Sequence, residues 1–255
     1  MEKIKRIFSV IYILWLRQIK KYLRSKARLF SSLGQPVLFL VALGFGFGPI
    51  FQKAGGGNYI QFLAPGIIAM SVIFMSVFSG IEVIIDKQFG FLKETLVAPV
   101  SRFSIMIGRT LGGATVATVQ GVLVFIIAVI VGFRPTLGLE TILVFVYIIL
   151  TAILFTSLGT MIGSLVNDMH AFPVIINFLI MPLFFLSGAL FPLNNLPKAI
   201  NIIANINPLT YGVDGIRGIL TGEIHFGFIT DFFVLLVFVV VTLALGSYAF
   251  SKIEA

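Results

Sequence analysis

Residues 86–102 read DKQFGFLKETLVAPVSR, the one strongly charged stretch that lies between long apolar segments of this chain. A membrane span would exclude these charges, because each costs about 2.5–3.5 kcal/mol at the bilayer centre. A purely solvated loop would not need the phenylalanines, leucines and valines between them. The pattern predicts a short amphipathic helix at the cytoplasmic surface, whose apolar residues could enter a groove on a partner protein. An ordinary interhelical loop is the alternative.

The composition around this stretch is that of a polytopic membrane protein. Of the 255 residues, 58% are hydrophobic and 11% are charged, whereas soluble domains average about 25% charged residues. Cysteine is absent and only two histidines are present, which excludes disulfides and disfavours a multi-histidine metal cage. The net charge of +8 is better explained by the positive-inside rule than by nucleic-acid binding.

Six apolar stretches are long enough to cross about 30 Å of hydrocarbon, which takes about 20 helical residues. They predict an all-α membrane protein with six transmembrane helices, at residues 29–51, 60–85, 105–133, 139–165, 171–190 and 228–250. Residues 29–255 would then form one transmembrane domain. Helices are the expected spanning form, because they satisfy their own backbone groups inside lipid.

Residues 1–28 are predicted to form an amphipathic interfacial helix. Apolar residues recur at helical spacing from Ile4 to Leu23, and the basic residues fall mostly on the opposite side. Trp15 and Tyr22 suit the membrane interface. A signal peptide is disfavoured, because the basic region continues to Arg28 and no small-residue cleavage site follows the apolar run.

The lysines and arginines predict the orientation of the chain. They are concentrated in residues 1–28, in the connection between the second and third spans, and at Lys252 in the tail. The positive-inside rule therefore predicts that both termini are cytoplasmic and that the number of spans is even. A multi-pass protein of the cell inner membrane, surrounded by its lipids, is expected.

The connection between the fifth and sixth spans, residues 191–226, is too apolar for a free loop and too short to cross the membrane. It is predicted to form two short re-entrant helices that dip into the outer leaflet and pack on the bundle, since irregular backbone at that depth must lie against protein or water. A lid that seals the bundle and an outer gate are two interpretations of this segment, and they can coexist.

The middle of the spans holds almost no charged side chain, which disfavours a carrier driven by protons or ions. Two amide side chains, Asn177 and Gln120, also lie deep in the spans. Hydrogen bonding between helices is the commoner role for such residues, and contact with substrate is the alternative for Asn177. Phe184 and Phe185 could line an apolar path for substrate.

Charged residues near the inner end of the second span have two interpretations. Glu82 and Asp86, one helical turn apart, are interpreted as solvated charges at a helix end, with pairing to Lys87 or Arg109 as the alternative. Arg109 is expected to extend toward the lipid headgroups. The spacing of Gly159 and Gly163 permits close helix approach, although the 25 glycines of the chain make such pairs common.

Four stretches carry a family resemblance. Residues 182–197 read PLFFLSGALFPLNNLP and residues 206–220 read INPLTYGVDGIRGIL; residues 90–102 read GFLKETLVAPVSR, and residues 62–70 read FLAPGIIAM. The first pair resembles the closing signature of type-2 ABC transporter permeases, especially the drug-resistance and nodulation-factor exporter group. The other two are similar to that group's coupling segment and to the opening of its second span. The resemblance covers nearly the whole chain.

This resemblance implies the permease subunit of an ATP-driven ABC exporter, which moves a hydrophobic drug, lipid or lipid-linked glycan outward by alternating access. The chain lacks the G-x-x-x-x-G-K-[ST] phosphate loop. ATP and Mg are therefore expected on a separate ABC ATPase subunit, and this chain is expected to bind no cofactor and to have no enzymatic activity. A second permease protomer, in a homodimer, is the other implied partner. A secondary transporter or channel not coupled to ATP is the alternative function.

The resemblance also implies roles for individual residues. The contact with the ATPase falls on the coupling segment at Phe89, Gly90, Phe91, Leu92, Lys93 and Glu94. The outer gate falls on Pro192, Asn207, Pro208, Tyr211 and Arg217.

Overall fold

The computed structural model describes residues 2–55, 57–92, 95, 101–136, 138–193 and 197–252, with the side chains of residues 2–4, 6 and 28 excepted. Within these ranges every regular element is a helix and there is no strand. The predicted all-α fold class is therefore confirmed.

Ten α-helices with defined bounds lie within the described ranges, and residues 91, 92 and 95, between the fourth and the fifth of them, are helical as well. In chain order the ten are α1 (Glu2–Arg24), α2 (Lys26–Lys53), α3 (Tyr59–Phe78), α4 (Ile81–Gln88), α5 (Arg102–Val131), α6 (Leu143–Leu165, preceded by a 3₁₀ turn at Leu139–Ile142), α7 (Ala171–Phe185), α8 (Lys198–Ile206), α9 (Pro208–Thr221) and α10 (Phe228–Ser251).

Five segments of the described chain are long and apolar enough to cross a bilayer. They are Leu29–Lys53, Tyr59–Gln88, Arg102–Val131, Leu139–Leu165 and Phe228–Ser251. The predicted fifth span, residues 171–190, holds only α7, which has 15 residues. At 1.5 Å per residue, α7 is about 22 Å long and so shorter than the hydrocarbon layer. The count of six spans therefore stays a prediction.

Helix α3 lies at the centre of the bundle, surrounded by α2, α5, α6 and α9. It is apolar on all sides, and this is the pattern of a helix that is buried all round. The segment that contains it is the most deeply buried of the five candidate spans. The central position of α3 matters for the site, because α3 leads through α4 directly into the coupling segment.

Two glycine-mediated contacts set the helix arrangement. A Cβ atom on Gly159 of α6 would overlap the Val77 carbonyl, and one on Gly80 would overlap the Gly159 carbonyl. The pair Gly159–Gly163 therefore lies where the backbones of α6 and the α3–α4 segment touch. This is the close approach that the spacing of the two glycines permits.

Helix α1 packs along the first half of α5. A Cβ atom on Gly112 of α5 would lie 2.7 Å from the Gln18 Cβ atom, so the helices meet closely there. Trp15 Nε1 donates to Thr115 Oγ1 at 3.0 Å, and the Tyr22 hydroxyl donates to Gln120 Oε1 at 3.1 Å. These contacts fix α1 against the protein, whereas its predicted position in the headgroup plane stays a prediction.

Candidate functional site

The inner end of the bundle, the end predicted to be cytoplasmic, contains a buried cluster of charges centred on Asp86. The Asp86 side chain is 1% exposed and binds Arg17 through two hydrogen bonds, Nη2 to Oδ1 at 2.8 Å and Nη1 to Oδ2 at 3.1 Å. Arg109 Nη2 of α5 also donates to Asp86 Oδ2. We call Arg17, Lys21, Glu82, Asp86 and Arg109 the Asp86 cluster.

Helical spacing builds this cluster. Glu82 and Asp86 are four residues apart on one face of α4, and the basic pair on α1 has the same spacing. The two faces meet, so that Lys21 Nζ lies 3.4 Å from Glu82 Oε2 and 3.9 Å from Asp86 Oδ1. A buried carboxylate needs such partners, because removing an unpaired charge from water is costly.

Two interpretations of the sequence were wrong here. Asp86 is not a solvated charge at a helix end, because it is buried between α1, α4 and α5. Arg109 does not extend toward the headgroups, because it is 3% exposed and paired with Asp86. The pairing with Arg109 was the alternative, and Arg17 was not foreseen because it comes from a distant part of the chain.

The predicted coupling segment, residues 86–102, begins at Asp86 itself and continues beyond the end of α4. Helix α4 ends at Gln88, and Gly90 follows with φ of +80°, a left-handed conformation that favours glycine. Phe89 and Phe91 are 70% and 51% exposed. An exposed aromatic pair next to a buried charge cluster is a suitable surface for contact with another protein.

Other residues of the segment anchor it to the bundle. Leu92 is buried among Leu14, Val83, Ile105, Met106 and Phe250. The Arg17 guanidinium carbon lies 5.9 Å from the centre of the Phe91 ring, within the range of a cation–π contact. Lys93 and Glu94, the last two residues of the expected contact, lie outside the described residues.

The same segment also holds the connection between α6 and α7. Lys87 Nζ donates to the Ser164 carbonyl, to the Val166 carbonyl at 3.4 Å and to Asn167 Oδ1 at 3.3 Å. Gln88 Nε2 donates to the Asn167 carbonyl at 3.2 Å. Residues 86–92 thus contact α1, α5 and the end of α6 together.

At the opposite end of the bundle, α8 and α9 form the two short helices that the sequence predicts. Asn207 caps α9: its Oδ1 accepts from the Leu209 amide at 3.0 Å, and its Nδ2 donates to the Leu183 carbonyl at 2.6 Å. Pro208 occupies the first position of α9, where its missing N–H costs nothing. The Tyr211 hydroxyl donates to the Asn205 carbonyl at 2.6 Å. These three residues fix the turn between α8 and α9.

Arg217 of α9 is buried and joins three parts of the chain. Its Nη2 donates to the Gly188 carbonyl at 2.9 Å and to the Phe62 carbonyl at 3.3 Å. The guanidinium carbon lies 4.0 Å from the centre of the Phe62 ring, which adds a cation–π contact. Arg217 lies outside the five candidate spans, and burial lowers its pKa to about 10. The side chain therefore remains protonated at neutral pH.

A large cavity opens beside Arg217, and we call it the outer chamber. It has a volume of about 780 Å³ and lies between α9, the start of α3, residues 132–136 and the turn that contains Pro192. Its polar wall is a stripe on α9 at helical spacing, formed by Thr210, Asp214, Arg217 and Thr221. This spacing was visible in the sequence but was not recognised, because the apolar residues of α9 dominated the interpretation.

The chain resembles membrane transport proteins over most of its length. Residues 9–221 match the family described as ABC-2 type transporter. The chain belongs to this ABC-2 family. The ycf38 transport permease of Cyanophora paradoxa is 32% identical to it over 214 residues, 81% of this chain and 72% of that protein. Nodulation protein J of Rhizobium leguminosarum bv. viciae is 31% identical over 199 residues, 77% of this chain and 76% of that protein. The inner membrane transport permease YadH of Escherichia coli K12 is 28% identical over 232 residues, 89% of each chain.

Membership of the ABC-2 family confirms the resemblance found in the sequence. It identifies a multi-pass membrane permease of an ABC transporter, and it implies association with an ABC ATPase subunit.

The residues predicted to line the substrate path of the ABC-2 permease separate in the structure. Asn177 and Phe185 are exposed on α7, whereas Phe184 is buried in the core. Gln120 is buried and accepts hydrogen bonds from Tyr22 and Ser32, which is the interhelical role expected of it. The substrate-path assignment stays a prediction for all three residues of α7.

A second cavity of the permease was not foreseen. It has a volume of about 220 Å³ and lies between α2, α3 and α5, lined by serines, Gln35, Gln120 and apolar residues of α3. Gln35 is exposed, and its amide has no hydrogen-bond partner among the described residues. The sequence did contain a signal for this cavity, because Gln35, like Asn177, is an amide side chain within an apolar span.

Proposed function

We propose that this permease is the transmembrane subunit of an ATP-driven exporter and works as a homodimer with a separate ATPase. A hydrophobic drug, a lipid or a lipid-linked glycan would move outward between the two protomers by alternating access. ATP and Mg would bind to the partner subunit, and both termini of this chain would be cytoplasmic. The observation that carries the proposal is the Asp86 cluster, which lies directly before the exposed aromatic pair of the coupling segment.

The cluster supports transmission of force from that segment. A displacement of Phe89 and Phe91 acts on α4, whose Asp86 is bound to both α1 and α5. Because a buried ion pair is expensive to break, these helices would follow the segment rather than separate from it. Movement of α4 in turn moves α3, the central helix of the bundle.

The proposed homodimer and path are supported by the exposed surfaces of α2 and α7. Both helices carry large exposed apolar side chains, including Phe45, Phe47, Phe178 and Phe185, and each also exposes an amide, Gln35 or Asn177. An amide facing lipid alone would be costly, because hydrocarbon offers no hydrogen bonds. A second protomer or a polar part of the substrate would satisfy both.

A transporter driven by an ion gradient is the second candidate function, and one residue favours it. Asp231 of α10 is fully buried beside the Asp214 carboxyl, and no N–H or hydroxyl donor among the described residues reaches either of its carboxylate oxygens. Buried carboxylates of this kind bind protons or cations in ion-coupled carriers. Uptake or release of a hydrophobic dye by proteoliposomes under an imposed proton gradient, without ATP, would favour this alternative.

Cysteine cross-linking tests the ATPase contact directly. The chain contains no cysteine, so a Phe89→Cys variant carries a single thiol at the coupling segment. Cross-linking to the co-purified ATPase through a short bifunctional reagent is expected for this variant. Phe191→Cys, exposed at the opposite end of the bundle, is the matched control and should not react with the ATPase. Equal cross-linking of both variants, or of neither, would contradict the proposed contact.

Reconstitution with the ATPase tests energy coupling. Vesicles containing wild-type protein should move a fluorescent lipid or a hydrophobic dye when ATP is added, and the transported compound should stimulate hydrolysis. Arg17→Gln, which removes the partly exposed partner of Asp86, is expected to lower transport more than basal hydrolysis. Transport that continues without ATP would argue for the gradient-driven alternative.

A further inference from the structure

The outer chamber contains two arginines whose hydrogen-bonding capacity the protein does not use up. Arg217 is 8% exposed and is fixed through Nη2 alone. Its Nε is buried without a partner, and Nη1 donates to no group among the described residues. Arg134 is exposed, and it uses one terminal nitrogen, Nη1, to donate to the Val129 carbonyl at 3.3 Å.

The two carboxylates of the chamber do not neutralise Arg217 directly. Asp214 accepts from the backbone amides of His225 and Phe226, at distances between 2.7 and 3.0 Å. Within the described part of the chain, no carboxylate forms an ion pair with Arg217. Glu223 is exposed to solvent. A buried guanidinium with spare donors therefore faces the cavity, and Asp214 and Glu223 act on it through space rather than through a hydrogen bond.

Local structure holds both arginines in place before any ligand arrives. Arg217 is fixed by the Gly188 and Phe62 carbonyls and by the Phe62 ring. The backbone amide of Arg134 donates to Gln61 Oε1 at 3.2 Å, and Gln61 directly precedes Phe62 in the chain. Both arginines are thus attached to the start of α3, and both line the same cavity.

We propose that the outer chamber binds a phosphate or carboxylate group, with Arg217 as the buried anchor and Arg134 as the second cation nearer to solvent. The planar donor fork of a guanidinium matches these oxygen groups. The volume of the chamber falls in the range of about 300–1,000 Å³ that is typical of small-molecule sites. The Thr136 hydroxyl donates to the Leu220 carbonyl, and its oxygen can still accept a hydrogen bond from the neutral part of the same molecule. The anionic group can belong to a lipid head group or to a soluble compound.

The first experiment measures ligand-dependent thermal unfolding of the detergent-purified permease without ATPase. The probes are inorganic phosphate and glucuronate. Sodium chloride at equal ionic strength is the control for phosphate, and glucose is the uncharged counterpart of glucuronate. We expect a saturable rise of the unfolding midpoint with phosphate and glucuronate, because a ligand that binds only the folded state stabilises it. Glucose and chloride should give no saturable rise.

Variants separate the site from a general salt effect, since phosphate also stabilises proteins by exclusion from their surface. Arg134→Gln should weaken the apparent affinity by about tenfold, the factor expected for one charged hydrogen bond. Lys198→Gln, an exposed cation of α8 outside the chamber, is the control and should bind like the wild type. Arg217→Gln should abolish binding; if it fails to fold, Arg134→Gln decides the question.

The second experiment identifies the source of the anion. Native mass spectrometry would compare permease taken from nanodiscs of a neutral galactolipid with permease from nanodiscs that also contain phosphatidylglycerol. Phosphatidylglycerol retained by the wild type and by Lys198→Gln, but lost from Arg134→Gln, assigns the site to a lipid head group. Saturable binding of phosphate without retained lipid assigns it to a soluble anion. Equal behaviour of wild type and Arg134→Gln in both experiments, or glucose binding as tight as glucuronate binding, would overturn the proposal.

Discussion

Arg17 of α1 and Asp86 of α4 are 69 positions apart in the chain and face each other through two hydrogen bonds, at 2.8 and 3.1 Å. The same carboxylate accepts from Arg109 of α5, so one side chain joins three helices. Arg17 is partly exposed, whereas Arg109 and Asp86 are buried. The loss of the carboxylate and the loss of the exposed arginine should therefore have different consequences.

Replacing Asp86 by asparagine should destabilise the fold strongly. The change leaves Arg109 buried without its carboxylate partner, and breaking a buried pair in this way costs about 3–5 kcal/mol. Arg17→Gln removes a partner that water can partly replace, so about 1 kcal/mol is expected. Unfolding titrations with a denaturing detergent would measure both variants. Equal losses would contradict the burial argument.

Trp15 should report whether α1 lies against α5. It is the single tryptophan of the chain, and its Nε1 donates to Thr115 Oγ1. Arg17→Glu places two carboxylates together and should release α1, which would shift the Trp15 emission to longer wavelength and increase quenching by a soluble quencher. Arg24→Glu, at the exposed end of α1, is the matched charge change. A shift of the same size in both variants would mean that the Asp86 contact does not hold α1.

Gly90→Pro should separate ATP hydrolysis from transport. Gly90 has φ of +80°, which proline cannot adopt because its ring fixes φ near −65°. The path of residues 89–92 would change, whereas insertion of the apolar spans would not. ATP hydrolysis and dye transport would be measured in the same vesicles. Gly46→Ala, at a position with open space around it, is the control, because Gly46→Pro would break a helix. If Gly90→Pro still couples ATP hydrolysis to transport, the coupling segment has no part in the mechanism.

Two glycine-to-alanine changes should have opposite signs. A Cβ atom on Gly159 overlaps the Val77 carbonyl, and overpacking of this kind costs about 1–3 kcal/mol. A Cβ atom on Gly48 meets nothing within 4 Å, and alanine there should gain up to about 1 kcal/mol of helix propensity. Unfolding midpoints of the two variants in the same detergent would show the difference. A neutral Gly159→Ala would indicate that α3 and α6 are not in fixed contact.

Asn207 variants should resolve the two functions of its amide. Asn207→Ala removes the cap of α9 and the hydrogen bond to the Leu183 carbonyl, so a loss of about 2 kcal/mol is expected. Asn207→Ser keeps an oxygen that can cap the helix and should recover about 1 kcal/mol of this loss. Unfolding measurements on the two variants test this ordering. Identical stabilities would show that capping contributes little at this turn.

The sequence was sufficient for features that depend on local pattern. Long apolar runs predicted the helical spans, because their length and hydropathy are set by the bilayer. The prolines and apolar faces of residues 191–226 predicted α8 and α9, and the Gly159–Gly163 spacing indicated a close helix contact. Each of these features is written within a few helical turns.

Features that depend on distant residues were missed. The partner of Asp86 on α1 lies outside any window that a pattern covers, so its burial could not be read from residues 82–86. The interpretation of Arg109 failed for the same reason. The outer chamber is enclosed by parts of the chain that are far apart in sequence. Only the polar stripe on α9 could be recognised from the spacing of neighbouring residues.

Asp86 and Lys87 are neighbours in the chain but are anchored on opposite sides, the first to α1 and α5 and the second to the carbonyls that end α6. A shift or rotation of this dipeptide that lengthens one set of hydrogen bonds must therefore also displace the other set. The inner ends of α1, α5 and α6 should consequently move together as one rigid unit. A regulator that binds this unit at a single point would therefore be enough to stop the transport cycle.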